Sequence, residues 1–177
     1  LPMHSEKNSH FVKDLVFKKF KDNLKDKHVL ERSFNEALFV LKNNKTTSLL
    51  SSPNSLREVP VSAVLNFPLI NTDNEKEQVK IRGRIDLLRL GGSEVLIVDF
   101  KTTSKVPMSK TSVDLKILCQ LEIYARILQK AYPIKKISCA ILWTKTANLM
   151  KIPRKNSNQA LKTVFGKQVL DEFIAGS

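Results

Sequence analysis

Cysteine is scarce: Cys119 and Cys139 are the only two in the chain. Two cysteines cannot build a disulfide framework, and their spacing is not that of zinc ligands. Both lie in apolar stretches, which predicts buried free thiols and a reducing, cytoplasmic setting. No apolar run reaches ~18 residues, which excludes a membrane span. No secretory signal is visible. The sequence has no Gly-x-x-x-x-Gly-Lys-Ser/Thr loop, hence no ATP site of that kind. It has no Gly-x-Ser-x-Gly elbow and no Cys/His cluster for zinc or an iron–sulfur cluster. Pro/Gly/Ser-rich linkers and internal repeats are also missing. Acids are outnumbered, with Lys+Arg 30 against Asp+Glu 17, a formal charge of +13.

What is present describes one α/β domain. The 177 residues are 42% apolar, enough to bury roughly 70% of the unfolded surface. The charge favours phosphates or another anionic partner, although lysine outnumbers arginine 23 to 7, a bias that genome base composition alone can produce. The first residue is Leu1, not Met, so the expectation is an excised C-terminal domain of a longer protein. Apolar residues recur at Phe11/Leu15 and at Val12/Val16/Phe20/Leu24, a helical step. A second helix fits Val29 to Leu41, and Thr46 to Asn54 reads as a loop of turn formers. Strands follow at Glu58–Leu65, Gln78–Leu90 and Glu94–Phe100. Pro60 predicts an edge strand, Asn71–Glu77 a polar turn, and Gly91-Gly92-Ser93 a hairpin. The apolar centre of Glu94–Phe100 predicts a strand covered on both faces. Val113–Tyr132 is a helix with a stripe of Leu115, Leu118, Cys119, Ile123, Ile127 and Leu128, stopped by Pro133. Strands at Lys136–Thr144 and Leu149–Ile152 and a helix over Asn158–Ile174 complete a mixed sheet flanked by helices. The expected organisation is a helical part (1–50), a sheet core (56–152) and a C-terminal helix (157–175).

The chemistry concentrates at the hairpin. Asp86 and Asp99 lie on its two strands, within about two positions of facing one another. Asp99 and Lys101 are two apart and share a face. Two carboxylates with waters suit Mg²⁺, and an adjacent ammonium can orient a water or stabilise charge on a phosphate. The Asp-x-Lys tripeptide alone says little, since chance supplies roughly one in such a chain and Asp114-Leu-Lys116 is another. Asp99, however, ends an apolar strand, where a charge needs a reason to be. The residues alone also fit a structural salt bridge to Lys101 or Arg84. Gln120 and Tyr124 share a helix face, and fit either a phosphate contact or a solvated Gln beside a half-buried Tyr. Glu58 fits either a third carboxylate or an exposed strand-end acid.

In order, Glu58, Gly83-Arg84-Ile85-Asp86, Val98-Asp99-Phe100-Lys101-Thr102 and Gln120-x-x-x-Tyr124 resemble the RecB-like branch of the PD-(D/E)xK nuclease superfamily. The stretches EVLIVDFKT, QLEIYARILQKAYP and CAILWT look more narrowly like the C-terminal nuclease domain of the A subunit of bacterial AddAB helicase–nucleases. That resemblance covers about Arg57 to Thr144. It implies a restriction-endonuclease-like core and an exonuclease that hydrolyses DNA with Mg²⁺ or Mn²⁺ during double-strand-break repair. Asp86, Asp99 and the Phe100 carbonyl would hold the metal, Lys101 would position the attacking water, and Glu58 would sit at the site's edge. Gln120 and Tyr124 would line the site, and Arg84 would contact substrate. The helicase domains would lie upstream in the same protein, and a second subunit of AddB type would be the partner.

Two departures accompany the resemblance. The family's N-terminal histidine sits in a Gly-Thr-x-x-His-like context, whereas here His10, the candidate metal ligand, follows Lys7-Asn8-Ser9. Relatives often have Arg after the motif aspartate, where this chain has Leu87. The alternative is a catalytically inert DNA-binding or scaffolding module that keeps the nuclease fold.

Overall fold

A computed structural model describes residues 6–20, 27–68 and 76–165. Helices α1 (Glu6–Phe20), α2 (Lys27–Lys42) and α3 (Asn44–Leu50) lead into strands β1 (Ser55–Pro68), β2 (Lys76–Leu90) and β3 (Glu94–Lys101). Helix α4 (Leu115–Ala131), strands β4 (Lys136–Trp143) and β5 (Asn148–Ile152), and helix α5 (Arg154–Phe165) follow. The polar turn expected at Asn71–Glu77 lies largely outside the described residues, as does the C-terminal helix beyond Phe165.

The sheet is mixed, in the order β1-β2-β3-β4-β5. Only β3 and β4 run parallel, and α4 is the crossover that parallel neighbours require. Pro60 lies on the edge strand β1, as its missing N–H demands. Both faces of β3 are covered. Val95 and Ile97 pack with Leu118, Leu121 and Leu161 of α4 and α5. Val98 packs with Val40 of α2 and Leu49 of α3.

Helix α3 replaces the expected loop. The Asn43 side chain caps it by accepting from the N–H groups of Lys45 and Thr46 at 3.1 and 3.3 Å. The Thr46 and Thr47 hydroxyls donate back to the Val40 and Leu41 carbonyls at the end of α2. The polar residues that read as turn formers thus satisfy a helix-to-helix junction, and Leu49 anchors it in the core.

The stripe expected on α4 is also corrected. Leu115 is 47% exposed, while Leu121, Glu122, Tyr124 and Ala125 are buried. The helix packs on both the sheet and α5, so it buries a broader face than one stripe. Glu122 has no exposed surface. It accepts from Arg126 Nε at 3.0 Å, from Arg154 Nη2 and Nε at 2.8 and 2.9 Å, and from Ser157 Oγ at 2.8 Å. A buried carboxylate is tolerated only with such saturation, and this one ties α4 to α5.

Candidate metal and phosphate site

The pairing of β2 with β3 runs from Leu90↔Val95 to Leu87↔Val98 and stops there. One further step would set Asp86 opposite Asp99. Instead the Asp86 carboxylate takes the backbone's place, with Oδ2 accepting the Phe100 N–H at 2.6 Å. A strand residue's N–H and C=O project to the same edge, so the Phe100 carbonyl also faces the gap that β2 leaves.

The alternation of β2 breaks at the same point. Ile85 and Leu88, three apart, pack on the α4 side, while Leu87 packs on the α2–α3 side. Across from Asp86, Glu58 has φ of 52°, a left-handed conformation uncommon for a side-chain-bearing residue. The motif aspartate therefore sits where the sheet both splays and changes face.

Asp99 is 5% exposed. Its Oδ2 lies 2.7 Å from Lys101 Nζ, but the ammonium approaches off the hydrogen-bond direction, and no donor meets this buried oxygen squarely. Burial pushes the Asp99 carboxyl above its usual range; the Lys101 ammonium pulls it back, and the Asp86 charge pushes it up again. The Asp86 charge raises the proton affinity of Asp99, whose buried oxygen is poorly satisfied, and the two carboxylates together are a donor set that fits a hard divalent cation. Among the described residues no third His, Cys, Asp or Glu joins them.

The remaining expected residues have other positions. Glu58 pairs with Arg84 at 3.2 Å, and both side chains are more than 60% exposed. His10 lies in α1, its side chain outside what the structure describes. Leu87 is fully buried, in a place a cation could not occupy without a partner. Tyr124 is buried, not half-exposed. Its hydroxyl accepts from Arg84 N–H at 3.3 Å and from Gln120 Nε2 at 3.3 Å. A Cβ at Gly83 would stand 2.5 Å from that hydroxyl, so glycine there admits the ring. Gln120 and Tyr124 thus clamp α4 onto β2 two residues before Asp86.

Sequence reasoning missed a second support. The Thr144 hydroxyl contacts the Lys101 carbonyl at 3.1 Å and the Glu36 carboxylate. Glu36 also pairs with Lys145 at 2.6 Å. Although partial burial raises the Glu36 pKa, its bonds to Lys145 and Thr144 outweigh that and hold it below the usual range. Helix α2 is thereby tied to the end of β3 that carries Lys101. No spacing joins residues this far apart in sequence. A charge on a helix that also buries Phe34 and Val40 was the only local hint.

The family model for the PD-(D/E)XK nuclease superfamily matches residues 6–172. No curated protein matches. Among solved structures, the chain is similar to SSO0001 at 12% identity and a TM-score of 0.44, over 92% of this chain and 69% of that one.

Proposed function

The chain belongs to the PD-(D/E)XK nuclease superfamily, and from that premise we propose that it hydrolyses DNA phosphodiester bonds at Asp86, Asp99 and Lys101. The observation that carries this reading is the meeting of Asp86 with the Asp99–Lys101 pair where β2 parts from β3. A Mg²⁺ or Mn²⁺ ion held by Asp86, Asp99 and the Phe100 carbonyl would supply Lewis-acid polarisation of the phosphate and an acidified water. The Lys101 ammonium donates to the attacking water or to a non-bridging phosphate oxygen and stabilises the charge that develops. The water oxygen forms the new P–O bond as the ester P–O bond breaks, and the proton that the water gives up ends, through solvent, on the leaving sugar oxygen. Gln120 and Tyr124 keep β2, and with it Asp86 and Arg84, in register with this chemistry. Glu58 holds Arg84 at the edge of the site, where the guanidinium can exchange its carboxylate for a phosphate.

The motif order supports a finer assignment: an exonuclease domain of a bacterial, cytoplasmic, ATP-dependent helicase–nuclease in double-strand-break repair. Its motor would lie upstream and its partner would be an AddB-type subunit. No helix among the described residues is long and apolar enough to cross a membrane. The test is cleavage of end-labelled linear single- and double-stranded DNA in Mg²⁺ or Mn²⁺, against EDTA and against Asp99→Ala. Metal-dependent cutting abolished by Asp99→Ala is the expected result. Cutting that survives Asp99→Ala removes the site assignment.

A further inference from the structure

β2 is 15 residues long, and only Leu87–Leu90 pair with β3. Its other half pairs with β1 alone, from Ile85↔Val59 to Lys76↔Pro68. The two strands form a ribbon that overhangs the rest of the sheet. A two-stranded ribbon needs one face covered to be stable, and this one has it. Val59, Val61 and Ile85 pack in the α4 core, and Gly83 lies against Tyr124.

Among the described residues nothing covers the opposite face. Alternate residues share a face, so Lys80, Arg82 and Arg84 stand in a row on it, all exposed. Their partners on β1 are Val64, Ser62 and Pro60, which carry no charge. Among the described residues, the acid paired with the row is Glu58, bonded to Arg84 between two exposed side chains. Exposed pairs of this kind are weak and exchange readily with a competing anion. The row therefore sets one cation about every 7 Å, and it ends two residues from Asp86.

We propose that this basic face of the β1–β2 ribbon is a nucleic-acid backbone track that leads a strand to the Asp86–Asp99 site, with Lys80 and Arg82 as its phosphate contacts. A flat row of cations without aromatic side chains between them binds phosphates, not bases, so the track is indifferent to sequence. The inference deepens the nuclease reading by assigning the substrate's path.

The test is fluorescence anisotropy of a labelled single-stranded DNA of mixed sequence, in EDTA so that nothing is cut, across a salt series. Lys80→Gln/Arg82→Gln is compared with the wild-type chain and with Lys116→Gln/Lys155→Gln, which removes the same charge from exposed positions on α4 and α5. The track predicts a log-affinity against log-salt slope shallower by about 1.4 in the ribbon variant, roughly tenfold weaker binding at low salt, and little change in the control. An unchanged slope, an equal loss in the control pair, or no binding by the wild-type chain overturns it. Binding through the ribbon without cleavage in Mg²⁺ or Mn²⁺ would leave the track standing and remove the hydrolytic reading instead.

Discussion

Gly83→Ala is the sharpest small perturbation the site offers. The added methyl would lie 2.5 Å from the Tyr124 hydroxyl oxygen, 2.7 Å from Cε1 and 2.9 Å from Cζ. Ordinary contacts at such atoms begin near 3.4 Å, so the ring must retreat by most of an ångström. The ring cannot simply swing, because it sits in a core with Ile85, Leu121 and Ala125. Overpacking of this size costs about 2 kcal/mol. Retreat also strips the acceptor from Arg84 N–H and from Gln120, adding ~1 kcal/mol. With a urea dependence of ~2 kcal/mol per molar for a domain this size, the midpoint of urea unfolding should fall by more than 1 M. Tyr124→Leu removes the clashing atoms, so Gly83→Ala/Tyr124→Leu should lose less than the two single variants together. A Gly83→Ala midpoint within 0.2 M of wild type, or costs that simply add, would refute the clamp between α4 and β2.

Other substitutions probe the supports around the site. Glu122→Gln leaves Arg154 and Arg126 facing a neutral group in the interior and should cost roughly 3 kcal/mol, read as a drop of ~10 °C in thermal midpoint. Glu36 titrates below its ordinary value. The stability it gives is therefore present above that ordinary value and lost as pH falls through the depressed one. Glu36→Gln should be less stable than wild type at pH 7, and urea midpoints of the two should converge as pH falls below 4. Cys119 and Cys139 are buried, with burial raising both thiols and pushing Cys139 up to about 12. Neither should react with a thiol-specific disulfide reagent at pH 8 until the chain unfolds, as a stopped reaction with and without denaturant would show.

The strands were legible because alternation and unbroken apolar runs report burial directly. Val95 to Val98 announced a strand covered twice, and Pro60 an edge. Hairpin arithmetic predicts the convergence of Asp86 on Asp99; the ladder itself stops one step short of that pair, where Asp86 accepts the Phe100 N–H with its own carboxylate. What stayed hidden depends on groups far apart in sequence or on side chains that substitute for backbone. Helix α3 was hidden because Asn43 caps it and Thr46 and Thr47 bond to the preceding helix, although the same residue types usually bond within turns. The role of Gly83 was hidden because only the fold brings Tyr124 over it. The Glu122 cluster left a trace in the i,i+4 pair Glu122/Arg126, a charge pair inside an apolar helix, but its completion by Arg154 and Ser157 required α5 to dock.

The central claim is that Asp86 and Asp99 hold the metal while Lys101 performs chemistry beside it. The most direct measurement pairs Mn²⁺ binding with DNA cleavage in Lys101→Ala. Metal affinity should stay within a few-fold of wild type while the cleavage rate falls by about a hundredfold or more, the scale of losing one positioned charge-stabilising donor. Cleavage at the wild-type rate, with Lys101 gone, would contradict the claim.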